Sequence, residues 1–571
     1  MDKNILQKAQ AWTQAPFDEA TRKEVAEMIE NNPEKLADSF YKNLEFGTGG
    51  MRGIMGAGTN RINKYTLGKN TQGLANYINR VSDKKEKSVA VNYDVRHNSK
   101  EFAKLVANVL SANGIKVYLF SEFRPTPELS FAVRHLGTDA GIVLTASHNP
   151  PEYNGYKVYW SDGAQIVPPQ DQEIIDEIDR VNFDEIKFTP NEDLIEYVGK
   201  ELDDAFIKAS VAHGTFDAPD RDKLKILFTS LHGTSIKLMP PAMQAAGFTN
   251  FHIVEEQMNP DPEFSTVKSP NPEEPEAFTI ALKKADEIDA EMILATDPDS
   301  DRIAVAVREP NGKMRLLNGN QTMAMMDAFL IRKWDEAGKL KGKEFIGSTI
   351  VSTDMIKEIG KAGGVEVKVG LTGFKWIAKM IREAEGKQTF IGGGEESFGY
   401  MVGDFVRDKD AITAGLLAAE IYADAKARGS SFFEELLKLY QKHGFYKEGL
   451  VSLVKKGIEG QAIIKQMMLD FRNNPPKSFD GSPVVRMEDY KTSVAKNLID
   501  NTEEKLRVEP SNVLIFYTED GSKIAMRPSG TEPKIKFYFS VHQPLNDPKN
   551  YKKTEAELDE KINRLKKDLG L

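Results

Sequence analysis

The chain has 571 residues, of which 40% are hydrophobic and 28% are charged, and this composition predicts a globular protein of several domains rather than a disordered chain. It contains no cysteine, which excludes disulfides, thiolate metal sites and cysteine nucleophiles. The formal net charge of -10 argues against nucleic acid or an anionic membrane as the main partner.

Neither a secretory signal nor a membrane span is evident in the sequence. The amino terminus lacks the apolar stretch of a signal, and no apolar run approaches the ~20 residues of a membrane-spanning helix. We therefore expect a cytoplasmic protein with no membrane partner.

The first ~45 residues have the apolar spacing of helices. They lead into the glycine-rich segment 45–53, which contains Arg52. This segment is either a flexible connector or a loop whose backbone N–H groups and arginine approach a phosphate.

A strand–helix–strand–helix–strand pattern then occurs three times, starting near Ser88, Leu224 and Phe345. Each copy ends in a polar loop, at 145–157, 296–302 and 392–399. Right-handed crossovers predict a mostly parallel sheet covered by helices in each copy. Ligand chemistry in such sheets gathers at the carboxyl ends of the strands, so the three loops are expected to converge on one cleft.

The last ~120 residues differ, because their short apolar runs and turns predict a hairpin-rich α+β unit closed by a charged helix from about Lys553. We therefore predict three tandem mixed, mostly parallel α/β/α domains plus a C-terminal α+β domain around a central cleft. The predicted domains are 1–205, 206–317, 318–440 and 441–571.

The loop of the first copy follows the apolar run 140–144 and contains a serine among basic and turn-forming residues. Ser147 supplies a hydroxyl nucleophile, His148 and Lys157 supply positive charge, and the turn at Asn149 exposes backbone donors. These features suit a covalent phosphate. An ordinary turn is the alternative.

The loop of the second copy carries Asp297, Asp299 and Asp301 at alternate positions, which can direct hard oxygen ligands at one divalent ion. A calcium EF-hand fails, because its sixth position is Arg302 rather than glycine and its twelfth is Arg308 rather than glutamate. Magnesium is the better prediction, and a solvated acidic turn is the alternative.

Two further loops carry groups that suit a sugar phosphate. Glu395 and Ser397 can bind vicinal sugar hydroxyls, unless the glycines before them provide only flexibility. A second loop combines a bidentate cation, two hydroxyls and backbone donors, and so predicts a phosphate site; its residues are Arg527, Ser529, Gly530 and Thr531. The charge run 407–410 by itself favours a solvated surface.

A nucleophilic serine near one metal, a sugar loop and a separate phosphate site together indicate phosphoryl transfer on a phosphosugar. A phosphatase needs to hold only the phosphate it removes, whereas an enzyme that moves phosphate between two ends of a sugar must hold both ends. The sequence resembles the α-D-phosphohexomutase family. Four motifs match those of the family in the same order, and the resemblance covers nearly the whole chain. The sequence is most similar to the phosphoglucomutase branch, which includes phosphopentomutase-like members.

The resemblance implies a role for each site residue. Ser147 is implied to be carried as phosphoserine and, with Asp297, Asp299 and Asp301, to bind one Mg²⁺. The other implied catalytic residues are Arg52, His148, Lys157 and Lys409, of which the last three are acid/base or charge-stabilising candidates. The implied substrate-binding residues are Arg302, Thr372, Gly373, Glu395, Ser397, Arg527, Ser529, Gly530 and Thr531.

The sugar loop departs from the phosphomannomutase type, because Gly399 stands where those members carry histidine. The resemblance therefore implies an enzyme that interconverts glucose 1-phosphate and glucose 6-phosphate, with glucose 1,6-bisphosphate as intermediate and activator. We expect this enzyme to be a monomer or weak dimer and to have no nucleic-acid partner. Phosphopentomutase and phosphomannomutase activity stay open as alternatives. A metal-dependent phosphatase with a phosphoserine and a non-catalytic phosphosugar-binding regulator are the rivals from other classes.

Overall fold

The computed structural model describes residues 2–47, 49–455, 457–529 and 534–571. These residues form four β-sheets with helices packed around them. In this part of the chain no helix combines the length and the apolarity needed to cross a bilayer.

The N-terminal segment forms three helices, as predicted, and they pack around Trp12, Phe17 and Phe40. Each helix begins at a residue whose side chain accepts a hydrogen bond from a backbone N–H of the first turn, which satisfies a donor that the helix leaves unpaired. The helices are α1 (Lys3–Ala11), α2 (Glu19–Asn31) and α3 (Pro33–Phe40).

The first repeat forms a six-stranded sheet in the order β1-β5-β4-β2-β3-β6. Its elements are β1 (Gly50–Ile54), α4 (Lys64–Val81), β2 (Ser88–Tyr93), α5 (Ser99–Ala112), β3 (Lys116–Phe120), α6 (Thr126–Leu136), β4 (Ala140–Leu144), β5 (Tyr153–Trp160), α7 (Gln170–Arg180) and β6 (Ile195–Val198).

The second repeat forms a five-stranded sheet, after a helix that connects it to the first. Its elements are α8 (Lys200–Gly214), β7 (Ile226–Thr229), α9 (Met239–Ala245), β8 (Phe251–Ile253), α10 (Glu255–Met258), α11 (Thr279–Ile288), β9 (Met292–Thr296), β10 (Ile303–Arg308) and β11 (Met314–Leu316). The strand order is β11-β10-β9-β7-β8.

The third repeat forms a four-stranded sheet in the order β13-β12-β14-β15. Its elements are α12 (Gly319–Glu336), β12 (Glu344–Thr349), α13 (Met355–Gly363), β13 (Glu366–Gly370), α14 (Phe374–Ala384), β14 (Thr389–Gly394), β15 (Tyr400–Val402), α15 (Ala411–Ala427) and α16 (Phe432–His443).

The three sheets share one topology, which confirms the predicted repetition. The strand that begins the predicted strand–helix–strand–helix–strand pattern in each repeat (β2, β7, β12) is central, and the next two strands of the pattern pair with it in parallel on either side. A fourth strand (β5, β10, β15) then pairs antiparallel with the third. Strands such as β4 and β9 are buried throughout, as expected when helices cover both faces of a sheet. The polar loops join the third strand to the fourth.

The C-terminal unit is an antiparallel sheet, as the hairpin-rich pattern predicted. Its strand order is β16-β23-β22-β21-β18-β19-β20, and β17 pairs with β18. The elements are β16 (Phe445–Val454), α17 (Gly457–Asn473), β17 (Ser478–Phe479), β18 (Ser482–Asp489), β19 (Val494–Asn497), β20 (Glu503–Lys505), β21 (Leu514–Thr518), β22 (Lys523–Pro528), β23 (Lys534–Gln543) and α18 (Tyr551–Asp568).

Two glycine-rich segments that the sequence favoured as loops are strands instead. Gly50 begins β1, which pairs with β5, and a Cβ at this glycine would lie 2.0 Å from the carbonyl oxygen of Tyr156. Gly393 continues β14, and a Cβ there would lie 2.3 Å from the carbonyl oxygen of Gly347. These glycines therefore allow neighbouring backbones to approach closely.

Candidate active site

The loops of the three repeats meet at one place. Ser147, after β4, lies with its Oγ 3.1 Å from Asp297 Oδ2, in the loop after β9. Arg302, at the end of that second loop, forms a backbone bridge with Gly399 in the third. Residues far apart in the sequence are thus brought together at the carboxyl ends of the parallel strands.

Ser147 is held in an unusual conformation at the bottom of the site. It is 3% exposed and has a φ of 54°, in the left-handed region, and its N–H donates to Thr145 Oγ1 at 2.9 Å. Its Oγ lies 3.1 Å from His148 Nδ1. Burial, together with the guanidiniums of Arg302 and Arg52, holds the pKa of His148 well below its usual range. The imidazole is therefore neutral near pH 7 and can accept a proton from the serine hydroxyl.

Asp297, Asp299 and Asp301 are arranged as a metal site. All three are buried, and each offers a carboxylate oxygen within 4.8 Å of the others. Asp299 Oδ1 and Asp301 Oδ1 are buried and have no hydrogen-bond donor among the described residues. Buried oxygens without a partner are rare in folded proteins, and a hard divalent cation such as Mg²⁺ satisfies this donor set.

Two lysines bind the same carboxylates. Lys157 Nζ donates to Asp299 Oδ2 at 2.8 Å and to Asp301 Oδ2 at 3.2 Å, and Lys409 Nζ lies 3.1 Å from Asp301 Oδ2. Burial disfavours each ammonium, but the aspartates outweigh burial and raise the pKa of Lys157 and of Lys409. Both lysines are therefore charged at neutral pH.

Lys409 is itself oriented by residues that the sequence did not single out. Its Nζ donates to Asp408 Oδ1 at 3.0 Å, and Asp408 Oδ2 accepts from Tyr159 Oη at 2.6 Å and from Gln165 Nε2 at 3.0 Å. The run 407–410 is buried throughout, so the prediction of a solvated surface was wrong. The sequence gives no signal for this network, because Tyr159 and Asp408 lie 249 residues apart.

Glu395 and its neighbours form the part of the site contributed by the third repeat. Glu395 Oε2 accepts a hydrogen bond from Gly373 N at 3.2 Å. Burial raises the pKa of Glu395 to about 7, against the opposing charge of Lys409. Thr372 Oγ1 is buried and finds no hydrogen-bond partner in the described part of the chain, so this hydroxyl is available to a polar ligand.

A cavity of about 330 Å³ lies where the second, third and C-terminal units meet. Ser397 and Glu396 line one side, Glu273 contributes from the second unit, and Lys536 and Tyr538 contribute from β23. Its size and its few convergent polar groups are typical of a small-molecule site.

The remaining predicted residues lie around this centre. Arg302 forms an ion pair with Glu273, and the exposed Arg52 donates to Asn149 Oδ1 at 2.8 Å.

The predicted C-terminal phosphate loop is described only in part. Arg527 belongs to β22, opposite Lys536 of β23, which lines the cavity. Ser529 N donates to Lys534 O at 2.7 Å. Gly530 and Thr531 lie outside the described residues.

Family models and curated relatives that match most of the chain all belong to one group of proteins. Models of the phosphoglucomutase/phosphomannomutase α/β/α domains I, II and III match residues 43–185, 204–312 and 318–440. A phosphoglucomutase from Staphylococcus aureus is 40% identical over 514 residues, which cover 89% of this chain and 92% of that protein. A phosphoglucomutase from Staphylococcus haemolyticus is 40% identical over 508 residues, with 88% and 91% covered.

Solved structures show the same fold. A phosphoglucomutase/phosphomannomutase family protein from Burkholderia thailandensis superposes with a TM-score of 0.65 at 20% identity, covering 92% of this chain and 97% of that chain. The phosphoglucomutase parafusin from Paramecium, in an open form, gives a TM-score of 0.64 at 17% identity, with 92% and 96% covered. Since the three domain models match in order on the three repeats that build the site, the chain belongs to the phosphoglucomutase/phosphomannomutase family.

Proposed function

We propose that the protein is a phosphoglucomutase that interconverts glucose 1-phosphate and glucose 6-phosphate through a phosphoserine at Ser147. The observation that carries this proposal is the placement of the buried Ser147 hydroxyl 3.1 Å from Asp297, within a triad of buried aspartates. Family membership and the 40% identity to phosphoglucomutases support the reaction class.

Asp297, Asp299 and Asp301, together with a phosphate on Ser147, would hold one Mg²⁺. When bound, this ion supplies positive charge to the phosphoryl oxygens and to the serine oxygen during transfer. The buried Oδ1 atoms of Asp299 and Asp301, for which no described residue provides a hydrogen-bond donor, support this proposed position of the ion.

Residues of the chain accept the serine hydroxyl proton and stabilise the negative charge of the phosphoryl group. When the Ser147 hydroxyl attacks a sugar phosphate, the bond from phosphorus to Ser147 Oγ forms and the bond from phosphorus to the sugar oxygen breaks. The neutral His148 at 3.1 Å accepts the hydroxyl proton, and the departing sugar oxygen takes up a proton from solvent. In transfer to the sugar, the sugar hydroxyl loses a proton to solvent as it bonds to phosphorus, the bond from phosphorus to Ser147 Oγ breaks, and His148 returns its proton to Ser147. The raised pKa of Lys157 and of Lys409 favours a charge-stabilising role for the two lysines over acid/base work.

The sugar and its second phosphate would be held by the other units. Glu395 and Ser397 would bind the sugar hydroxyls, with Thr372 and Gly373 beside them, and Arg302 would contact the substrate from the second unit. Arg527 and Ser529, with Gly530 and Thr531, would hold the phosphate that is not reacting. Glucose 1,6-bisphosphate, the product of the first transfer, would then reorient so that its other phosphate returns to Ser147.

Gly399 stands where phosphomannomutase-type members carry histidine, and this difference supports a preference for glucose phosphate. A Cβ at this position would lie 2.2 Å from Lys409 Cδ, so glycine leaves room for the lysine. Phosphopentomutase and phosphomannomutase activity are the alternatives within the family.

Parallel initial rates on the 1-phosphates of glucose, mannose, ribose and glucosamine, with released inorganic phosphate measured in each assay, test the proposal. We expect glucose 1-phosphate to have the highest kcat/KM and to give glucose 6-phosphate with negligible phosphate release. Steady release of inorganic phosphate would instead support a phosphatase. If the unmodified protein is folded and binds the sugar phosphate but does not turn it over, a non-catalytic phosphosugar-binding regulator would be supported.

We also propose that the chain divides into domains at 1–205, 206–317, 318–440 and 441–571. One sheet within each range supports this division. The cytoplasmic location and the monomer or weak dimer stay predictions.

A further inference from the structure

We propose that Arg96 is a positioning residue that holds the Ser147 loop in its reactive shape and links it to the unit that carries the aspartates. Arg96 is 3% exposed and follows β2. The inference rests on the proposed function, because it assigns a role in the transfer of phosphate to and from Ser147.

The guanidinium of Arg96 is surrounded by carbonyl oxygens of the serine loop. Its Nη1 donates to Pro150 O at 2.8 Å and to Tyr153 O at 3.2 Å. Its Nη2 donates to Ser147 O at 2.7 Å and also to Asn149 O. The four N–H groups of the two Nη atoms are thus all used to fold one loop around a single planar cation.

Asp94 fixes the direction in which this guanidinium points. The two side chains are fully buried, with Arg96 Nε 3.3 Å from Asp94 Oδ2. The other carboxylate oxygen, Asp94 Oδ1, accepts from Arg96 N at 2.9 Å and from Ser99 Oγ at 2.7 Å. The arginine is therefore anchored between the end of β2 and the first residue of α5, and the serine loop packs against it.

Such an anchor is needed because of the backbone conformation of Ser147. A φ of 54° is unfavourable for serine and persists only where the surroundings enforce it. Arg96 binds the carbonyl of this residue and of three residues that follow it. The bonds of Arg96 therefore determine where the Ser147 hydroxyl lies relative to Asp297.

Arg96 also contacts the second unit. The ring of Phe264, a buried residue between α10 and α11, lies 5.0 Å from the guanidinium carbon. The neighbouring residues, His97 and Glu263, also pair across this boundary. A cation–π contact of this kind is favourable when both groups are buried. The cation that shapes the serine loop is thus covered by the unit that carries the aspartate triad.

The test compares Arg96→Lys and Phe264→Leu with the control Arg221→Lys. Lysine keeps the charge but has three donors and no planar fork. Arg221 also forms an ion pair with a buried carboxylate, Glu420, and its other partners among the described residues, Asp217, Ala246 and Phe248, lie outside the site. For each variant we would measure kcat and KM for glucose 1-phosphate, the single-turnover phosphorylation of Ser147 by glucose 1,6-bisphosphate, and hydrogen exchange of residues 145–154.

For Arg96→Lys we expect kcat to fall about ten- to a hundredfold with KM within about twofold, because misplacing a reacting group by about 1 Å costs up to about a hundredfold. Ser147 phosphorylation should slow by the same factor, and faster exchange should be confined to 145–154. Phe264→Leu should lower kcat and slow Ser147 phosphorylation by a smaller factor. Arg221→Lys should lower the Tm without changing kcat, KM or Ser147 phosphorylation.

Any of three results would overturn the inference. The first is an equal kcat in Arg96→Lys and Arg221→Lys, and the second is a rise in KM that matches the loss of kcat. The third is faster hydrogen exchange spread evenly over the chain. Absence of phosphate transfer to Ser147 in the parent would instead contradict the proposed function. The exchange measurement tests the loop in either case.

Discussion

The pKa values of the three aspartates in one loop are shifted in different directions, because their neighbours differ. Burial and the adjacent Asp299 and Asp301 raise the pKa of Asp297. Burial acts on Asp299 and Asp301 as well, but the nearby ammoniums of Lys157 and Lys409 outweigh it and lower the pKa of both carboxyls. Two carboxylates therefore remain ionised beside Ser147, as a divalent cation requires.

Asp299→Asn should lose Mg²⁺ affinity and rate together, because an amide replaces an ionised ligand. We expect at least about a tenfold loss of Mg²⁺ affinity, since even residues that only orient a metal ligand contribute about 10- to 100-fold. Titration of activity with Mg²⁺ after chelation, alongside calorimetry, measures both effects. Asp286→Asn, at an exposed helix position in the same unit, is the control. An unchanged magnesium dependence in Asp299→Asn would refute the ligand assignment.

Asp327 provides a pH test outside the metal site. Burial raises the pKa of Asp327 to about 7, although the hydrogen bond from Tyr400 Oη, at 2.6 Å, opposes the shift. The folded state thus binds a proton that the unfolded state releases near pH 4. This carboxyl therefore makes the protein less stable as the pH rises from about 4 to about 7.

Asp327→Asn should remove this loss of stability with rising pH, because the amide is neutral at every pH and its oxygen still accepts the hydrogen bond from Tyr400. Relative to the parent, the variant should gain free energy of unfolding between pH 4 and pH 7. Denaturant unfolding of both proteins at pH 4, 6 and 8 checks this. Parallel pH curves would show that Asp327 is ionised in the folded protein.

The sequence could predict Ser147 and the aspartates because each set follows an apolar strand directly. It could not predict Arg96, Asp408 or Tyr159 as parts of the site. Arg96 contacts a serine 51 residues further along the chain, and the separation between Tyr159 and Asp408 is larger still. Such contacts depend on tertiary packing, and no local pattern encodes them.

The strands and helices of the three repeats were predictable because their apolar runs are continuous. In the C-terminal sheet the signal is weaker: β20 is exposed at every position, and β16 exposes alternate residues along its second half. Gly392, Gly393 and Gly394 looked like a loop, but they continue β14. Sequence cannot show that the backbone of a neighbouring strand occupies the space where their side chains would lie.

Gly393→Ala should destabilise the third sheet and displace the sugar loop that follows it. The new Cβ would lie 2.3 Å from the carbonyl oxygen and 2.7 Å from the nitrogen of Gly347, and backbone cannot move aside as a side chain can. We expect a cost of about 1–3 kcal/mol and a higher KM.

Gly370→Ala, on β13 of the same sheet, is the matched control, because its Cβ would meet only side-chain atoms, Met380 Cε and Trp376 Cβ, each at 3.3 Å. Thermal unfolding and steady-state kinetics of the two variants measure the difference. Equal stability of the two alanine variants would mean that β14 can shift away from β12 at little cost.

Contacts between charged and polar groups help to join the C-terminal unit to the second and third units. Glu555 of α18 pairs with Arg315 of the second unit, and Lys447 of β16, in the same unit as Glu555, binds this carboxylate at 2.8 Å. Lys523, buried in β22, donates to Ser352 O of the third unit at 2.8 Å. The C-terminal sheet is thus docked on the second and third units, and it presents Lys536 and Tyr538 to the shared cavity.

Arg527→Ala should reduce both kcat and kcat/KM, because a remote phosphate contact supplies binding energy that orients the reacting hydroxyl. A charge-assisted bidentate contact predicts a loss in kcat/KM of about tenfold to a few hundredfold, and Arg527→Lys should recover only part of it. Arg564→Ala removes an exposed arginine of the same unit and should leave the kinetics unchanged. If Arg527→Ala keeps the kcat/KM of the parent, the second phosphate is held elsewhere.

In the proposed mechanism Ser147 carries the phosphoryl group. Intact-mass measurement and peptide mapping of the resting protein, before and after incubation with glucose 1,6-bisphosphate, test it most directly. We expect one phosphate per chain on the peptide that contains Ser147, and its loss on incubation with excess glucose 1-phosphate as acceptor. Ser147→Ala should carry no phosphate and have no mutase activity. Phosphate on a different residue, or full activity in Ser147→Ala, would show that Ser147 is not the phosphoryl carrier.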